Sequence, residues 1–166
     1  MNKYKLLKQV VMALERDYQN AIAAAERAHQ SATDKENVAE NKYDTLGLEA
    51  AYLAEGQSRR VMACEEELRS FQQLLESSGN DEEVDEIGVG SLVKLEDEIG
   101  AVKYLLIGRL AGGLKVKYGD HNLGQEVMVI TPSSPLGKAL MGLGLGDQVD
   151  IGTATDKKSY QVAACY

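Results

Sequence analysis

The sequence predicts an α+β protein, in which a long antiparallel α-helical coiled-coil hairpin precedes a small, twisted antiparallel β-sheet domain with one short helix. Three observations predict it. From Lys3 to Ser77 there is no proline, glycine occurs only at Gly47 and Gly56, and Ala, Glu, Leu and Arg dominate, which is helix-forming composition. Beyond residue 86 the apolar pattern shortens to brief β-type runs separated by Gly or Asp turns. Within that region a single helical interruption, Leu136 to Met141, follows the rigid turn Thr131-Pro132-Ser133-Ser134-Pro135 and leads to a Gly146-Asp147 turn.

Each arm of the hairpin carries one narrow apolar seam. The first runs through Leu7, Val11, Leu14, Tyr18, Ile22, Ala25 and Ala28. The second runs through Tyr43, Leu46, Ala50, Leu53, Gln57, Val61, Cys64, Leu68, Phe71 and Leu75. Steps of three and four residues place each series on one helix face. A seam this narrow buries enough to pair two helices and too little for a globular bundle, which favours the hairpin. At about 1.5 Å of rise per residue each arm is on the order of 50 Å long.

The chain divides into a hairpin over residues 1–78, an acidic segment over 79–86 and a C-terminal domain over 87–166. The middle segment, Gly-Asn-Asp-Glu-Glu-Val-Asp-Glu, reads as a solvated linker or, less simply, as an interaction segment. The strands expected after it are 92–95, 102–107, 114–118, 126–130, 148–151 and 160–163.

Composition narrows the function classes. A formal charge of -8 argues against broad electrostatic binding to nucleic acid, which needs clustered Lys and Arg to displace counterions, and points to a basic protein surface as partner. Cys64 and Cys165 lie far apart and form no metal-spaced pattern, so free thiols in a reducing compartment are expected. No stretch approaches the roughly 20 apolar residues of a membrane span, and a cytoplasmic location with no membrane partner is expected. His29 and His121 are isolated, with satisfied or solvent-facing side chains expected. The Gly142–Gly146 run lacks the Lys-Ser/Thr of a phosphate loop, so no nucleotide site is assigned.

Gly90, Ser91, Val93, Leu95 and Asp97, followed by Ser134, Pro135, Leu136, Gly137, Lys138, Ala139, Leu140, Gly142, Gly146 and Asp147, form a recognisable series. Over residues 87–166 it resembles the C-terminal domain of the Gre transcript-cleavage factors of bacterial RNA polymerase. Over 1–77 the resemblance rests on the hairpin architecture and on short matches, Ala21-Ile22-Ala23 and Lys35-Glu36-Asn37. The chain departs from the pattern at Leu143-Gly144-Leu145, where a basic residue is usual after Gly142.

The resemblance implies an FKBP-like C-terminal domain and a hairpin that enters the secondary channel of the polymerase. It also implies that the turn at Ser133, Ser134 and Pro135 docks on a coiled coil at the channel rim. An ordinary structural use fits the same residue types, since Pro presets φ and Ser caps turns. Prolyl isomerase activity is not expected. Isomerases of that fold hold proline among aromatics, commonly over a Trp, whereas this chain has no Trp and one Phe, Phe71, placed on the second helix.

In Gre factors an Asp-x-x-Glu pair at the hairpin tip helps hold a second Mg²⁺ at the polymerase active centre. Matching Lys35-Glu36-Asn37 to that motif puts Thr33 at the Asp position. A second register, which equal arms favour, puts Asn37 there and Ala39-Glu40-Asn41 in place of Lys-Glu-Asn. Either way the pair is broken. Against the second register, Thr33-Asp34-Lys35-Glu36 has the form of a capping box opening a helix. Asp34, Glu36, Glu40 and Asp44 remain as tip carboxylates, and Glu36, Glu40 and Asp44 share one face if helical, either as a displaced acidic tip or as a solvated face. Glu36 and Glu40 are the candidates for a Mg²⁺ shared with the polymerase. No cofactor is expected in isolation.

The expected function is therefore that of a Gre-type modulator of transcription elongation. It binds bacterial RNA polymerase without specific DNA contact, occupies the secondary channel, and stimulates cleavage weakly or not at all. It is no enzyme itself, and at most stimulates the nuclease activity intrinsic to the polymerase. Two alternatives stand beside this: an active cleavage factor with a displaced acidic tip, and a coiled-coil interaction or chaperone-like protein that never meets polymerase.

Overall fold

The structure is a computed structural model and describes residues 2–33, 46–78, 83–118, 124–153 and 156–166. The order is α1 (Lys3–Thr33), α2 (Leu46–Ser77), β1 (Leu92–Asp97), β2 (Val102–Ile107), β3 (Lys115–Tyr118), β4 (Gln125–Ile130), α3 (Pro135–Leu140), β5 (Gln148–Thr153) and β6 (Asp156–Cys165). This is the α+β order that the sequence predicts. By contacts the chain forms two compact units, one of Met1–Val10 with Ser70–Tyr166 and one of Val11–Arg69.

In the Val11–Arg69 unit the seams follow a strict seven-residue repeat. Leu14, Ala21 and Ala28 are buried, with Val11, Tyr18 and Ala25 half-buried between them. On α2 the seam positions Gly47, Ala50, Ala54, Gln57, Val61, Cys64 and Leu68 are covered, and Glu67 beside them is half-buried as well. Two expected seam positions shift. Ala21 is more buried than Ile22, and Ala54 takes the place of Leu53, which is 55% exposed. The reason is the repeat itself, since alternate steps of three and four keep a seam in line only when the phase never slips. Outside the seam, Glu55–Arg59 and Glu65–Arg69 form i,i+4 ion pairs at 2.6 and 3.0 Å, worth a few tenths of a kcal/mol each at such exposed sites.

Helix ends are set locally. The Asn2 side chain accepts from the Lys5 amide at 2.8 Å, an N-cap for α1. The Thr33 hydroxyl donates to the carbonyls of His29 and Gln30 at 2.9 and 3.2 Å, and the rest of the Thr33–Glu36 capping box read from the sequence lies outside the described residues.

In the other unit six strands form one sheet in the order β3-β4-β2-β1-β6-β5. The expectation of an antiparallel sheet needs one correction, because β2 and β4 pair in parallel, Tyr104 opposite Val127 through Ile107 opposite Ile130. After β2 the chain passes outside the β4 position to make edge strand β3, and β4 then returns between the two. A period-two apolar pattern is the same for both pairing directions, so sequence alone does not distinguish them.

Neighbouring residues on β2 point to opposite faces, yet Leu105, Leu106 and Ile107 are all buried. On one face Leu105 and Ile107 join Val93, Leu95, Ile130, Leu140, Val149, Tyr160 and Val162 in the main core, with Leu140 supplied by α3. On the other, Leu106 stands beside Val129, and the end of α2 brings Phe71 against Gly108. Leu6, Leu7 and Val10 of α1 are also buried in this unit, and the Tyr118 hydroxyl accepts from the Asn2 amide at 3.0 Å. The acidic segment is partly fastened as well: Val84 donates to the Cys165 carbonyl at 3.2 Å, and Ile87, fully buried, donates to that of Leu143 at 2.8 Å.

Candidate functional site

The turn after β4 is built by Thr131 and Ser134. The Ser134 amide donates to the Thr131 carbonyl at 3.0 Å and its hydroxyl donates to the same oxygen at 2.7 Å. That hydroxyl also accepts from the Gly137 amide at 3.0 Å, so Ser134, with φ -67 and ψ 154, is the N-cap of α3. Pro135 fills the first helical position, where a missing N–H costs nothing. Gly137 is pressed onto the Thr131 carbonyl so tightly that a Cβ there would collide with the oxygen. The close approach needs glycine, and it fixes the direction in which α3 leaves the turn.

This geometry separates the three residues read from the sequence as a docking turn. Ser134 is half-buried and spends its hydroxyl on the fold. Ser133 and Pro135 are exposed, and the Ser133 hydroxyl lies 3.1 Å from that of Thr131. The turn is therefore a rigid support that presents one hydroxyl and one pyrrolidine ring to solvent.

The tip candidates Asp34, Glu36, Glu40 and Asp44, among them the Mg²⁺ candidates Glu36 and Glu40, lie outside the described residues, as does His121. Among the described residues no group of three or more His, Cys, Asp and Glu side chains could hold a metal ion. His29 is exposed on α1. No helix among the described residues is long and apolar enough to cross a membrane.

Two features go beyond the sequence reading. One is the loop over residues 141–147 that α3 feeds, whose Gly146-Asp147 turn the sequence marks but whose exposed Leu145 it does not. The Asp147 carboxylate accepts from the Gly144 amide at 2.8 Å, and Leu145 stands 64% exposed. The Gly-Asp spacing was the available signal for that lock. The other is Cys165, whose thiol is buried beside Ser91; burial pushes its pKa up, against opposing effects of a hydrogen bond with Ser91 and of the Lys3 charge. Nothing local marks a thiol near the chain end as buried.

Known proteins resemble the chain along most of its length. The transcription inhibitor protein Gfh1 of a Thermus thermophilus strain is 32% identical over 125 residues, covering 75% of this chain and 72% of that protein. Gfh1 of Thermus aquaticus is 29% identical over 163 residues, 98% of this chain and 90% of its own. The crystal structure of GreA factor homolog 1 from Thermus thermophilus aligns over 98% of this chain and 94% of that one at 24% identity. Its TM-score of 0.38 is too low for the superposition to bear on the fold. No protein-family model matches the chain.

Proposed function

We propose, for a chain that belongs to the Gre-type family of transcription factors, that it binds bacterial RNA polymerase and inhibits transcription by placing its hairpin in the secondary channel. The observation that carries this reading is the 32% identity to a transcription inhibitor over three-quarters of the chain. The architecture supports it. Helices of 31 and 32 residues, at about 1.5 Å of rise per residue, make an arm of roughly 45–50 Å. The exposed Ser133 and Pro135 offer the docking contact, and the acidic balance of the chain suits a basic partner surface.

The hairpin body and the sheet-bearing part divide the work, one occupying the channel and the other docking at its rim. No enzyme chemistry of its own is assigned. Neither register of the tip restores an Asp-x-x-Glu pair, so a Mg²⁺ shared with the polymerase is poorly held and cleavage stimulation is weak or absent. The test is competition with an active Gre factor for core polymerase, together with an RNA-cleavage assay on backtracked complexes. Competition without cleavage is expected. Cleavage at the level of the active factor, abolished by Glu36→Gln or Glu40→Gln, would overturn the inhibitor reading in favour of a displaced acidic tip. Absence of any competition or co-purification would favour a coiled-coil protein that never meets polymerase.

A further inference from the structure

The loop that follows α3 is held by hydrogen bonds on both sides of Leu145 while keeping that side chain in water. Gly142 donates to the Ile87 carbonyl at 2.9 Å, Gly144 to the Asp147 carboxylate at 2.8 Å and Gly146 to the Val162 carbonyl at 2.9 Å. Gly144 lies so close to the Asp85 carbonyl that an added Cβ would be 2.7 Å from its oxygen. Leu143 packs against the core, but Leu145 is 64% exposed and Met141 38%.

Beside Leu145 is a cleft of about 310 Å³, lined by Glu83, Val84, Asp85, Gly144, Leu145 and Cys165. Val84, Leu145 and Cys165 contribute apolar groups to a lining that is otherwise polar, and Glu83 and Asp85 add exposed acids to it. An apolar side chain already fixed in place loses little conformational freedom on binding, which is what an interface anchor requires. A carboxylate rim selects a partner surface with Lys or Arg around its apolar centre.

We infer that this loop is a second contact with RNA polymerase, in which Leu145 and the cleft beside it engage an apolar patch rimmed by basic residues. The inference rests on the polymerase-binding reading above. Continuity with the proposed docking turn supports it, since the six-residue α3, about 9 Å long, leads directly from that turn into the loop.

Binding of the full chain to core polymerase, measured at low and at high salt, tests the contact, with circular dichroism as a check on folding. Leu145→Ser is expected to weaken binding roughly tenfold, by about the same factor at both salt concentrations. Asp85→Asn should weaken it at low salt, by a factor that shrinks as salt rises. Equal affinity of the folded Leu145→Ser variant and the parent would overturn the contact. So would a Leu145→Ser effect that vanishes at high salt. If Pro135→Ala weakens binding while Leu145→Ser does not, the docking turn stands and only this contact falls; if the parent does not bind, both fall.

Discussion

Phe71 of α2 lies so close to Gly108 at the end of β2 that a Cβ added to Gly108 would be 2.5 Å from its ring. The same Cβ would meet Val129 at 3.0 Å and the Leu110 carbonyl at 3.0 Å, so the site is closed on several sides. Phe71 is fully buried there, and it belongs to the same compact unit as the sheet.

Gly108→Ala should therefore overpack this contact and destabilise the sheet-bearing unit by about 1–3 kcal/mol, read as a lower urea midpoint at unchanged slope. An unchanged midpoint would mean that the Phe71 ring has room to give way.

The turn before α3 separates stability from recognition. Ser134→Ala removes the N-cap and the bond to the Thr131 carbonyl, and should cost about 0.5–2 kcal/mol in thermal or urea unfolding. Pro135→Ala, at an exposed position, should leave unfolding nearly unchanged while weakening binding to core polymerase in a competition assay. Equal competition by the Pro135 variant and the parent would remove the docking role.

Along α2, adjacent residues should respond oppositely. Leu53→Asp changes an exposed position and should cost less than about 1 kcal/mol, mostly through helix propensity. Ala54→Asp sets a carboxylate in the seam and should cost about 1–3 kcal/mol, with a loss of helical circular dichroism. The reverse ranking would shift the seam by one residue.

Cys165 links stability to alkaline pH. Burial raises its thiol pKa above the ordinary value of 9.0, so the folded state favours the neutral thiol. That contribution is fully present below 9.0 and is lost as pH rises from there through the folded-state value. Comparing parent and Cys165→Ala across that range, the variant should show the shallower alkaline loss of stability. Parallel pH profiles would show that the thiolate forms in the folded state without penalty.

The amino-acid order by itself determined the features that depend on near neighbours. Proline-free, Ala- and Glu-rich sequence from Lys3 to Ser77 determined the helices; alternation and Gly or Asp turns determined six strands; Ser134-Pro135 determined where α3 begins. Backbone propensity, side-chain period and capping act over a few residues, and so they are readable in one dimension. Only the tertiary structure decided that β2 and β4 run parallel, since both directions share one apolar period. Three-dimensional packing likewise chose Ala54 over Leu53 for the seam and set Phe71 against Gly108. The same packing enclosed the Cys165 thiol and left Leu145 in water next to a glycine bonded to the Val162 carbonyl. Each of these depends on which distant residues occupy the same space, and steric exclusion between them is decided only once the chain has folded.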